Sequence, residues 1–123
     1  MAGFHTNIEK DTLENENYRK VIYTAQHMQV VLMTLRAGEE IGMETHAEHD
    51  QFIRVENGEG KAYLNDSVYD LADGSAVVIP AGTQHNIVNT GSGPMRLYTI
   101  YTPPEHPDGT LQATKAEADA AHH

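Results

Sequence analysis

The chain has 123 residues, 39% of them hydrophobic and 21% charged, with 18 acidic against 8 basic side chains and a formal net charge of −10. That length suits one core, burying roughly 65% of the unfolded surface. The scattered lysines and arginines exclude the clustered cation patch that phosphate backbones and anionic membranes require, so no nucleic-acid or membrane partner is expected. With no cysteine, disulfide frames, thiolate metal sites and cysteine nucleophiles are excluded as well.

No run approaches the ~20 apolar residues of a membrane span. Residues 1–10 lack the basic start and apolar run of a secretory leader, so none is predicted and a cytoplasmic setting is expected. Residues 1–17 carry few large apolar groups and are expected to drape over the rest as an arm or to add an edge strand. Together with the approach to the first strand they make an N-terminal arm over residues 1–19.

Residues 20–102 read as short strands cut by turn residues. β-branched and apolar runs predict strands at Val21–Thr24, Met28–Arg36, Gln51–Val55, Lys61–Leu64, Ser67–Leu71, Ala76–Ile79, Asn86–Val88 and Arg96–Thr102. Asn57-Gly58, Asn65-Asp66, Asp73-Gly74, Pro80-Ala81-Gly82 and Gly91-Ser92-Gly93-Pro94 punctuate them. Many short strands without a 3.6-residue apolar period predict an all-β sandwich or barrel. Residues 103–123 form a tail: three prolines between Pro103 and Pro107 exclude a central strand, and alanine-rich Leu111–Ala121 predicts a marginal surface helix or a frayed end. His122 and His123 close that tail.

Seven acids fall between Glu39 and Glu59, with Arg54 as the one offsetting base. Most of such a run is expected to be a solvated edge; the sharper expectation is that some of it holds a cation. Glu44 and His46 are two apart on a predicted strand and share a face. In the next strand Gln51 shares parity with Ile53 and Val55, so it is expected to face inward with them. His85 follows directly on the Pro80-Ala81-Gly82 turn, a place suited to a fixed imidazole. Singly, each has an ordinary structural explanation, since buried polar groups are usually just hydrogen-bonded. As a set they point to a divalent cation, because an unpaired carboxylate inside a barrel costs several kcal/mol. Two histidines and one carboxylate suit Mn, Fe, Ni, Co or Zn, and a Gln oxygen would add a weak neutral ligand.

A rival assignment uses His49 as a ligand, with Glu48 and Asp50 solvated in the same turn. His27 and His106 are expected to be surface or loop histidines. Met33, Leu35, Tyr63 and Ile87 are expected to line the interior. Tyr98 and Tyr101 have opposite parity, so at most one points inward, and both are expected to serve packing. Arg54 has the parity opposite to Gln51 and is expected outside.

Two spacings go further. Gly74, Pro80, Gly82, His85 and Asn89 satisfy Gly-x5-Pro-x-Gly-x2-His-x3-Asn. Gly38, position 44, His46, position 51 and Gly58 keep the spacing Gly-x5-His-x-His-x4-Glu-x6-Gly, with Glu44 in place of the first His and Gln51 in place of the Glu. Over residues 20–102 the chain therefore resembles the cupins, and in particular small single-domain cupins akin to mannose-6-phosphate isomerase. The resemblance implies a double-stranded β-helix, or jelly-roll barrel, and a metal site at Glu44, His46, Gln51 and His85. The two exchanges keep one negative charge among these four. It further implies a small polar substrate, sugar-like or hydroxy-carbonyl, and isomerase or lyase chemistry with Glu44, His46 and His85 as the catalytic set. Dioxygenase chemistry and non-catalytic binding are the alternatives. A homodimer through a barrel edge or outer face is also implied, with Phe52 and Arg54 as outward candidates.

Overall fold

A computed structural model of the chain describes residues 2–121; the expectation for His122 and His123 lies outside the described residues. The strands are β1 (Arg19–Thr24), β2 (Gln29–Leu35), β3 (Glu44–Thr45), β4 (Asp50–Asn57), β5 (Gly60–Leu64), β6 (Ser67–Leu71), β7 (Ala76–Ile79), β8 (Gln84–Asn89), β9 (Met95–Thr102) and β10 (Leu111–Gln112). All pairings are antiparallel and build two sheets, one ordered β10-β1-β2-β9-β4-β7 and the other β3-β8-β5-β6. No described helix is long and apolar enough to cross a membrane.

The core follows strand parity. Val31, Met33 and Leu35 of β2, Ile53 and Val55 of β4, Leu97 of β9 and Ile87 of β8 are all completely buried. Each such aliphatic side chain contributes about 1.5–3 kcal/mol by leaving water, so a one-residue slip in any inner strand would be prohibitive. Tyr63 departs from the sequence expectation. Register pairs Ala62 with Ile87 and Tyr63 with Asn86, so the fully buried Ala62 takes the inward place and Tyr63 faces out. Phe52 and Arg54 do lie outside, Phe52 near Tyr98 and Arg54 with its Nε 2.8 Å from Glu56.

Of its two expected forms, the amino-terminal segment takes the one that lies against the barrel, and it is helical. Instead of an edge strand it forms α1 (Ile8–Glu14), capped by the Asn7 side chain accepting from the Lys10 amide, with Glu9 and Asp11 in the first turn. Seven residues are too few to hold a helix alone. Tertiary contacts fix it: Thr12 is fully buried, and Thr34 Oγ1 of β2 donates to the Asn15 carbonyl at 2.7 Å. At the other end β10 pairs with β1 before α2 (Lys115–Ala121) begins. A capping box starts α2, in which the Glu117 amide donates to Thr114 Oγ1 and the Thr114 amide to Glu117 Oε2. The marginal helix expected in the tail is thus present over its last turns, with Ala118 as its buried contact.

Candidate metal centre

Three separate stretches deliver the polar side chains of the interior. β3 pairs with β8 so that Glu44 lies directly opposite His85. His46 follows β3 immediately, and its carbonyl accepts from the Gly82 amide at 2.8 Å. Gly82 has φ +85, a conformation that a residue without Cβ adopts cheaply, so the Pro80-Ala81-Gly82 turn fixes both His85 and the backbone of His46. Asp50 Oδ1 accepts from the Ala81 amide and closes the same turn. Asn86 holds the approach to Glu44, accepting from the Gly42 amide and donating to Glu40. Gln51 comes from β4 in the facing sheet.

The ligand atoms of Glu44, His46 and His85 lie within 4.8 Å of one another. His85 is 2% exposed; its Nδ1–H donates to the Thr83 carbonyl at 2.9 Å, which leaves an Nε2 lone pair facing the cluster. Gln51 donates from Nε2 to Thr99 Oγ1 at 3.0 Å. His46 Nε2, His85 Nε2 and Gln51 Oε1 are all buried without a hydrogen-bond partner. Buried polar atoms are nearly always satisfied, so two imidazole nitrogens without a protein partner, clustered with one carboxylate, are suited to a shared electrophile. A divalent cation fits this donor set, two neutral imidazole nitrogens and a carboxylate. His46 Nε2 is 3.7 Å from Glu44 Oε2, close enough for charge pairing and too long for a hydrogen bond. Burial pushes the Glu44 carboxyl up, yet the attraction of His46 and His85 outweighs it and holds Glu44 below its usual range. The contact with Glu44 raises His46 above the ordinary imidazole value.

His49 is not part of this cluster. Its Nδ1 meets the Pro103 carbonyl at 2.7 Å and its Nε2 meets Glu105 at 2.8 Å. Glu48 and Asp50 are exposed. Tyr101 is the inward member of its pair, 1% exposed, with its ring 6.0 Å from His46 and 5.2 Å from His106. It is therefore a wall of the site rather than a sheet-face or dimer-face residue.

Three residues without a sequence signal complete the surroundings. Glu105, from the proline-rich loop, places Oε2 3.7 Å from His46 Nδ1. Gln29, completely buried at the start of β2, grips that loop: its Nε2 donates to the His106 carbonyl at 2.7 Å, and its Oε1 accepts from the amides of Glu105 and His106. Arg19, at the start of β1, joins Glu44, Glu105, His106, Gln112 and Asp119 around a cavity of about 460 Å³. Glu44 is the side chain that connects this cavity to the interior cluster. His106 is a loop histidine, as expected, but it also lines the cavity.

Two facing antiparallel sheets enclosing a histidine–carboxylate cluster that could hold a metal ion define a jelly-roll barrel. The profile of the cupin domain matches residues 31–101, and the chain belongs to the cupin family. It is 48% identical to the uncharacterized protein YrkC of Bacillus subtilis over 125 residues, spanning 96% of this chain and 67% of that one. It is 40% identical to the uncharacterized protein L612 of Acanthamoeba polyphaga mimivirus over 116 residues, 91% of this chain and 72% of the other. Among solved structures, BH2720 of Bacillus halodurans superposes with a TM-score of 0.95 at 44% identity, covering 97% of this chain and 95% of that one.

Proposed function

We propose that this cupin is a divalent-metal enzyme acting on a small polar hydroxy-carbonyl or sugar-like substrate by redox-neutral isomerase or lyase chemistry. The observation that carries the reading is the pair of orphaned buried atoms, His46 Nε2 and His85 Nε2, clustered with Glu44, while Gln51 Oε1 on the facing sheet is likewise buried without a partner. These four side chains would hold the ion, which when bound polarises a carbonyl or hydroxyl and stabilises developing negative charge. The Thr83 carbonyl fixes the His85 tautomer, and Glu105 beside His46 Nδ1 favours the tautomer that presents Nε2 inward. Tyr101, whose phenol burial drives far above its ordinary value, stays protonated and excludes water from the His46 side. Glu44 lines the cavity, so its carboxylate is the group of this set placed to exchange a proton with a substrate carbon or hydroxyl there.

Glu44→Gln keeps the shape of the side chain and removes its charge. We expect it to abolish turnover of the reactive member of a sugar and hydroxy-acid panel while the far-ultraviolet circular dichroism stays native. Metal-loaded protein that turns over no member of sugar, keto-acid or phenol panels, with and without oxygen, would overturn the enzyme reading in favour of a binding protein.

A further inference from the structure

The cavity beside Glu44 contains a cation that the metal site does not use. The arginines with partly buried side chains are Arg19 and Arg96. Arg96 pairs with Glu16 at 2.6 Å. Arg19 has no carboxylate within 4.0 Å among the described residues, although the chain carries 18 acids. Its Nη1 donates to Gln112 Oε1 at 2.7 Å, its guanidinium carbon sits 5.2 Å from the Tyr18 ring centre, and its Nε is buried without an acceptor. A guanidinium cannot shed its proton to escape such a setting; its partners are neutral, the Gln112 oxygen and the Tyr18 face, and an anion would add the charge-assisted acceptor they do not supply.

We infer that Arg19 is the specificity-determining residue of this cavity and selects a small organic carboxylate, whose oxygens accept from the guanidinium while its hydroxyl or carbonyl end meets Glu44. This inference rests on the function proposed above and names its substrate class. A carboxylate matches the planar fork of the guanidinium and carries a single charge. A phosphate ester would bring up to two charges to a cavity that Glu44, Glu105 and Asp119 already line. The volume, about 460 Å³, admits a molecule the size of a sugar acid.

The test uses matched probes that differ in one carboxylate: D-glucuronate against D-glucose, and glycerate against glycerol, titrated calorimetrically into the Mn(II)-supplemented protein. The native protein should bind the carboxylate of a pair about tenfold or more tightly than its neutral partner, the usual scale of a charge-assisted contact. Arg19→Gln should bring the two members within about twofold, and Arg19→Lys should retain part of the preference, at unchanged metal content. A role for Arg19 confined to holding β10 and Tyr18 would move stability without moving this ratio. Native protein that binds neither member or does not discriminate, an Arg19→Gln variant that keeps the full preference, or tighter binding of D-glucose 6-phosphate than of glucuronate would each overturn the inference. A carboxylate preference that depends on Arg19 in protein that retains no metal would instead uphold the inference and sink the metal centre.

Discussion

Replacing Gln29 by Leu isolates the clamp on the loop that carries Glu105. Leu approximates the volume of Gln, so the fully buried position stays filled and no cavity penalty enters. What disappears is one acceptor shared by two backbone amides, Glu105 N–H at 3.2 Å and His106 N–H at 3.0 Å, one donor to the His106 carbonyl at 2.7 Å, and one donor to Thr24 Oγ1 at 3.0 Å, which lies outside the loop. At about 1 kcal/mol for each backbone group left unpaired, the closed loop loses about 3 kcal/mol relative to an open, hydrated one. That corresponds to about a hundredfold faster opening-limited exchange. Amide hydrogen exchange followed by mass spectrometry should show the acceleration confined to residues 103–107, with the β2–β9 ladder protected as in the native protein. Native exchange rates at Glu105 and His106 in Gln29→Leu would refute the clamp, and with it the reason Glu105 sits beside His46.

Other outcomes follow from the same geometry. A Cβ at Gly60 would stand 2.1 Å from Met95 Cε and 2.3 Å from the Val88 carbonyl, so Gly60→Ala should cost about 3 kcal/mol or more, and a urea midpoint equal to the native one would contradict the close approach of β5 to β8. His49→Ala should leave metal stoichiometry unchanged, because both ring nitrogens are engaged by Pro103 and Glu105; metal loss in that variant would restore His49 as a ligand. In the metal-free protein His46 is raised from its ordinary 6.5, so its protonated form stabilises the fold at lower pH and the contribution fades as pH rises through the raised value. Glu44 is lowered from its ordinary 4.5, so its contribution is present above that value and fades as pH falls through the lowered one. Thermal melts of metal-free protein should therefore peak between these two limits, and a melting temperature that climbs steadily through the neutral range would contradict the pairing of Glu44 with His46.

Local sequence signals carry the barrel and the Glu44, His46 and His85 cluster. Strand parity put Met33, Leu35, Ile53 and Val55 inward, and the two motif spacings, of which the second carries the proline turn, single out Glu44, His46 and His85, whose ligand atoms the fold clusters. What stayed hidden depends on contacts between distant segments. α1 is too short to announce itself by periodicity and stands on Asn15–Thr34 contacts with β2. Tyr63 was misplaced because its parity in β5 is set by the pairing of Ala62 with Ile87, which the strand alone does not reveal. Gln29, Glu105 and Arg19 lie in unremarkable local sequence; only the fold sets the first against the loop and the other two around the cavity.

Metal binding at Glu44, His46 and His85 is tested by elemental analysis of protein purified without a histidine-affinity step and then exposed in turn to Mn, Fe, Co, Ni and Zn. The native protein should carry close to one transition-metal ion per chain, with affinity reduced by about a hundredfold or more in Glu44→Gln and His85→Ala. Native protein that stays metal-poor after every exposure, or variants that load as fully as the native chain, would contradict it.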